Sequence, residues 1–215
     1  MIKAVLFDLD GTLVNTNELI IKSFEYTFKK HLNIDITRNE IVATFGAPLR
    51  DVMERYDVNG ADLMLEIFRG FSEKNHDLLS ESIEGVEEGL NSLKNAKVKI
   101  AVVTSKRINT ALRGLNLFDL TKYFDIIVGP EDTKIHKPFG DPALKACRLL
   151  EVKPCEALMV GDSLNDILCG KNAACKTCLV SYTALDLNEV LKYKPDYVVD
   201  SLTDILNICM ESQNK

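Results

Sequence analysis

Ala4-Val5-Leu6-Phe7-Asp8-Leu9-Asp10-Gly11-Thr12-Leu13 sets an unbroken apolar run directly before two carboxylates and a glycine. The run, read as a strand over residues 3–7, lacks the alternation of a half-buried strand and suits one covered on both faces, as strands of parallel sheets are. If the extended backbone continues past Phe7, side chains two residues apart share a face. Asp8 and Asp10 then look into one crevice while Leu9 points away from it. Gly11 permits the turn that follows. Taken alone, an Asp-x-Asp pair is weak evidence of chemistry, because many such pairs are solvated loop carboxylates.

Working outward, similar short apolar runs recur at 98–103, 125–128, 157–160, 177–181 and 197–199, with helix-like stretches at 108–116, 142–151, 163–174, 187–192 and 202–210. Such alternation predicts an α/β fold with a doubly wound parallel sheet and right-handed crossovers. Residues 16–80 break the pattern. They hold no convincing strand, only helical periodicity at 18–31, 38–45, 49–55 and 61–79, and read as a small all-helical cap inserted after the first strand. The core domain is then 1–15 with 81–215, and the cap 16–80 is expected to serve as a lid over the first strand's carboxyl end.

A second acidic stretch, Gly161-Asp162-Ser163-Leu164-Asn165-Asp166, also lies where a strand meets a helix. Asp162 sits at the tip and Asp166 one turn later, so both can face the crevice of Asp8 and Asp10. The plainer reading is helix capping, which suits Ser163 equally well. Several carboxylates gathered in one crevice repel each other by roughly 4 kcal/mol per close pair at an effective dielectric near 20. A hard divalent cation resolves that conflict, and an all-oxygen donor set suits Mg²⁺. Thr104-Ser105 after the second core strand and Lys137-Pro138 after the third each have ordinary readings as a helix cap and a solvated lysine. Together they supply the donors that a phosphoryl group requires.

Bulk properties exclude other classes. With 215 residues, 46% apolar, the chain can bury a sizeable core. A net charge of −6 without a Lys/Arg block argues against a nucleic-acid surface. No apolar run approaches the ~18 residues of a membrane span and no export signal is evident, so neither a membrane nor secretion is expected. Six cysteines without such a signal read as reduced thiols, which points to the cytoplasm. Cys175 and Cys178 form a C-x-x-C, but without a second pair or a suitably spaced histidine the segment reads as a buried strand rather than a zinc site.

The ordered set Asp8-Leu-Asp10-Gly-Thr, Thr104-Ser105, Lys137-Pro138 and Gly161-Asp162-Ser-Leu-Asn-Asp166 resembles the four motifs of the haloacid dehalogenase (HAD) superfamily, with a helical cap after the first. Asn15-Thr16-Asn17-Glu18-Leu19-Ile20, Lys171-Asn172-Ala173 and Lys194-Pro195-Asp196-Tyr197 look like its bacterial inorganic pyrophosphatase branch, close to phosphoglycolate phosphatases. Phe139-Gly140 departs from relatives, which more often carry a proline at the second place. The resemblance implies a phosphohydrolase acting on a small phosphorylated substrate. Asp8 would be the nucleophile, Asp10 the acid and base, and Thr104, Ser105 and Lys137 the phosphoryl clamp. Mg²⁺ would be held by Asp8, the Asp10 carbonyl and Asp162, with Asp166 ligating or holding a metal-bound water. Asp10 favours phosphoryl transfer, because dehalogenase and phosphonatase relatives lack an acid there. A sugar-phosphate mutase shares this core, and Arg50 is the cap residue expected to grip a distal substrate anion. A phospho-accepting signalling module also uses acids, Thr and Lys, but is shorter, accepts phosphate after the third strand and lacks a cap.

Overall fold

The computed structural model describes residues 1–211. The chain runs β1 (Ala4–Phe7) and β2 (Val14–Asn15), then α1 (Asn17–Leu32), α2 (Arg38–Val42), α3 (Leu49–Tyr56) and α4 (Ala61–Leu79), then β3 (Glu81–Ser82) and α5 (Val86–Asn95). Strict alternation follows: β4 (Lys99–Val103), α6 (Ile108–Leu117), β5 (Ile126–Val128), α7 (Asp141–Leu149), β6 (Ala157–Gly161) and α8 (Leu164–Asn172). It ends with β7 (Lys176–Val180), α9 (Leu187–Leu191), β8 (Tyr197–Val199) and α10 (Ile205–Glu211). The contacts divide the chain into two compact units, Met1–Val14 with the chain from Ser82 onward, and Asn15–Glu81. No helix among the described residues is long and apolar enough to cross a membrane.

Six strands form one sheet in the order β5-β4-β1-β6-β7-β8, and every pair in it is parallel. The doubly wound sheet expected from the alternating pattern is thus what the chain builds. Covering on both faces explains why its strands are continuously apolar. On β1, Val5 and Phe7 join one core with Leu90, Leu93, Leu115 and Ile205. Ala4 and Leu6 join the opposite core with Ala143, Ala146 and Cys169. Cys178 lies within β7, where the C-x-x-C reading as a strand placed it.

One helix of this unit was not read from the sequence. Helix α5 buries Val86, Leu90 and Leu93, a spacing of four and three that is helical. Gly89 interrupts its apolar face for a packing reason, since a Cβ there would lie 2.6 Å from the Leu202 carbonyl oxygen. The expected helix over 202–210 begins as a 3₁₀ turn, Leu202–Asp204, before α10. The expected helix over 38–45 is shorter, because Thr37 and Glu40 form a capping box that starts α2 and the chain turns after Val42.

Within the helical unit, Ile21, Phe24 and Phe28 of α1 pack with Met64, Leu65 and Phe68 of α4 in a separate core. Phe28 is fully buried, edge-to-face with Tyr56 at 4.5 Å between ring centroids. Phe28→Ala is therefore expected to cost about 3–5 kcal/mol. A guanidinium titration followed by circular dichroism reads this loss, and an unshifted transition would show that Phe28 does not hold this unit.

Candidate active site

The site begins where the sheet reverses its winding. From β1 the chain adds β4 and β5 on one side, then returns to add β6, β7 and β8 on the other. A crevice forms at the carboxyl ends of strands at such a switch point. Phe7 pairs with Val102 of β4 and with Val160 of β6, so these strands end at one level. The next residues continue the ladder: the Asp8 N–H donates to the Val160 carbonyl at 2.9 Å, and the Thr104 N–H to the Val128 carbonyl at 3.0 Å. Backbone bonding thus fixes Asp8 and Thr104 where their strands stop.

Asp8, Asp162 and Asp166 bring a carboxylate oxygen each to within 4.8 Å of one another, and all three are buried. Lys137 reaches into the group, its Nζ donating to Asp8 Oδ1 at 2.5 Å and to Asp166 Oδ1 at 2.7 Å. One ammonium does not balance three buried carboxylates. Burial pushes Asp8 up to about 7 despite the pull of Lys137, with the charges of Asp166 and Asp10 adding to the rise. Burial, then the charges of Asp166 and Asp8, hold Asp162 well above the usual carboxylate range. For Lys137 burial works the other way, but the two carboxylates outweigh it and the ammonium stays protonated. An all-oxygen cluster short of positive charge fits a hard divalent cation such as Mg²⁺.

Asp166 serves both of its readings at once. Its Oδ2 accepts from the Ser163 N–H at 3.1 Å and from the Ser163 hydroxyl at 2.6 Å, which caps α8, while Oδ1 accepts from Lys137. Capping therefore orients the carboxylate for the cluster. Two glycines give it room. A Cβ on Gly161 would lie 2.3 Å from Asp166 Cγ, and one on Gly11, whose φ is +79°, would lie 2.5 Å from Asp162 Oδ2. Gly161→Ala is expected to displace Asp166 and lower turnover about 100-fold with secondary structure retained. Rates measured beside circular dichroism check it, and wild-type activity would show that the placement of Asp166 does not matter.

Asp10 stands outside that trio. Its Oδ1 accepts from Lys106 Nζ at 2.6 Å, and both side chains are partly exposed. Lys106 was not legible in the sequence, because a lone ammonium after Thr104-Ser105 carries no local signal that it reaches a residue 96 positions away. Thr104 is buried and its Oγ1 accepts from the Lys106 N–H at 3.1 Å, whereas Ser105 is exposed. Phe139 is exposed, and Gly140 lies so close to α8 that a Cβ would meet the Ala173 nitrogen at 2.6 Å. In the helical unit, the guanidinium of Arg50 donates to Asp62 at 2.5 Å and to Glu54 at 3.3 Å.

Comparison with known proteins gives the family. Residues 5–180 match the family model for haloacid dehalogenase-like hydrolases. A Clostridium perfringens protein provisionally named pyrophosphatase PpaX is 49% identical over 97% of both chains. The pyrophosphatase PpaX of Halalkalibacterium halodurans is 42% identical over 96% of both. Among solved structures, one described as a predicted phosphoglycolate phosphatase from Haemophilus somnus superposes with a TM-score of 0.83 at 26% identity, covering 96% of this chain and 97% of that one. With strand-end carboxylates and Lys137 in motif order and a family match across most of its length, the chain belongs to the haloacid dehalogenase-like hydrolases.

Proposed function

We propose that the protein is a Mg²⁺-dependent phosphohydrolase working through an aspartyl phosphate on Asp8, with inorganic pyrophosphate as its preferred substrate. The observation that carries this reading is the buried trio Asp8, Asp162 and Asp166 with Lys137 bonded to two of its members. Such a constellation binds a cation and an anion side by side. The substrate comes from the relatives named pyrophosphatase; the neighbour named for phosphoglycolate marks a small phosphate monoester as the second choice.

In this reading Asp8 attacks phosphorus, and the bridging oxygen departs with the electron pair of the broken bond. Asp10 protonates that oxygen and later takes a proton from the water that hydrolyses the aspartyl phosphate. Thr104 and Lys137 hold the transferring oxygens, with Ser105 beside them at the rim. The carboxylates of Asp8 and Asp162 and the Asp10 carbonyl would hold Mg²⁺, with Asp166 supporting them. Bound there, the ion neutralises the carboxylates and draws charge from the phosphoryl group. Arg50 stays the residue proposed to grip a distal substrate anion: its guanidinium pairs with Asp62 and Glu54 in exposed ion pairs of the weak kind that a substrate anion can replace. The acidic net charge and the small phosphorylated substrate fit a cytoplasmic enzyme without a nucleic-acid partner.

Phosphate release measured over pyrophosphate, phosphoglycolate and glucose 1-phosphate tests the proposal. Turnover of pyrophosphate should require Mg²⁺, stop with EDTA and return when Mg²⁺ is restored. Equal rates with and without Mg²⁺ would reject the metal site. Efficient release from phosphoglycolate alone would reject the substrate.

A further inference from the structure

We propose that Lys106 is a leaving-group residue, selecting substrates whose departing group carries negative charge next to the bond that breaks. This rests on the phosphoryl-transfer reading given above and extends it to specificity.

Among the described residues two ammonium groups bond the site's carboxylates, and they divide between its two halves. Lys137 is buried and tied to Asp8 and Asp166, on the side of the nucleophile and the transferred phosphoryl group. Lys106 is bonded to Asp10, the acid assigned to the oxygen that departs. Attacking and leaving oxygens lie roughly in line on opposite sides of phosphorus, so a group at 2.6 Å from Asp10 stands on the departure side. The lysine is placed rather than loose. Its N–H donates to Thr104 Oγ1 at 3.1 Å, directly after β4, and its side chain is 16% exposed against 5% for Lys137. It is thus anchored through its backbone while its head group keeps access to solvent and to an entering ligand.

The chemistry distinguishes substrates. As Asp8 forms its bond to phosphorus, the electron pair of the breaking P–O bond goes to the bridging oxygen. When the leaving group is an alcohol, a single proton from Asp10 leaves it neutral and an ammonium adds little. When it is phosphate, or a hydroxy acid such as glycolate, it carries negative charge on its other oxygens in the substrate and as it departs, and an ammonium beside it binds that charge in both states, which raises kcat/KM for such substrates.

Lys106→Met and Lys106→Arg, compared with the wild type in Mg²⁺ buffer on pyrophosphate, phosphoglycolate and phenyl phosphate, test this. Lys106→Met should lower kcat/KM on all three substrates, because Asp10 loses its partner, but by at least about tenfold more on the two with anionic leaving groups than on phenyl phosphate, with Lys106→Arg recovering most of that difference. An equal loss on all three substrates would overturn the proposal, because Lys106 would then act only by holding Asp10. No loss at all would overturn it too. If the wild type ignores pyrophosphate but the selective loss appears on phosphoglycolate, the pyrophosphate assignment fails and the role of Lys106 stands. Should the wild type hydrolyse none of them, the proposed function fails, and calorimetric binding of imidodiphosphate decides: affinity about tenfold weaker in Lys106→Met supports the role, and equal affinity overturns it.

Discussion

Replacing Asp8 with Asn is expected to lower turnover by on the order of 10⁴-fold or more, because an amide neither attacks phosphorus nor carries the charge that a cation offsets. The structure adds a second expectation that separates chemistry from folding. Burial and neighbouring carboxylates raise Asp8 to about 7, so its ionised form opposes folding once the pH exceeds the unfolded value near 4. Asn carries no such charge, and Lys137 keeps its bond to Asp166. In EDTA at pH 8 the variant should melt at or above the wild-type temperature while releasing no phosphate. Near-normal turnover would show that another group is the nucleophile. A large fall in melting temperature would show that the ion pair with Lys137 outweighs the burial of the carboxylate.

Lys137→Met should show the reverse balance, losing both activity and stability. The variant forfeits the donor that holds a transferring oxygen, expected to cost about 10³-fold in turnover. It also leaves Asp8, Asp162 and Asp166 buried without their ammonium. Breaking a buried ion pair in this way costs about 3–5 kcal/mol, lessened here because Asp8 and Asp162, both held above the usual carboxylate range, can take up protons instead. That escape fixes the pH dependence. A carboxyl whose folded value lies above its unfolded one leaves stability intact in acid and removes it as pH climbs from the unfolded value through the folded one. Denaturation in EDTA should therefore show a small deficit near pH 5 and a larger one near pH 8, with Mg²⁺ recovering part of the latter. A deficit that does not vary with pH would mean that lost packing, not unbalanced charge, is the cause.

What the sequence revealed and what it hid follow from the range of the interactions. The strands were legible because burial on both faces leaves continuous apolar runs, as in Ala4–Phe7. Asp8 and Asp162 could be nominated because each directly follows a strand, and strand ends share an edge of a parallel sheet, while Lys137 lies in the loop that leaves β5 at that edge. Sheet order was not legible, since nothing local says that β1 lies between β4 and β6. The bond between Lys106 and Asp10 was hidden for the same reason. Helix α5 was hidden differently: Gly89 sits within its apolar face, and its packing on Leu202 emerges only from the fold. For Asp166 the two readings were posed as alternatives, although a carboxylate has two oxygens and the structure uses one for each.

The winding that creates the crevice also sets an order of assembly. Its central strand, β1, is made first, yet its two neighbours begin at Lys99 and Ala157. During synthesis this strand must wait with both hydrogen-bonding edges unsatisfied. Helices α1 to α4 are made in the interval and can pack on one another through a core that needs no residue of the sheet. The nascent chain thus carries a folded helical body ahead of an unclaimed apolar strand. Its exposure to aggregation is greatest before β6 emerges to complete the pairing of β1.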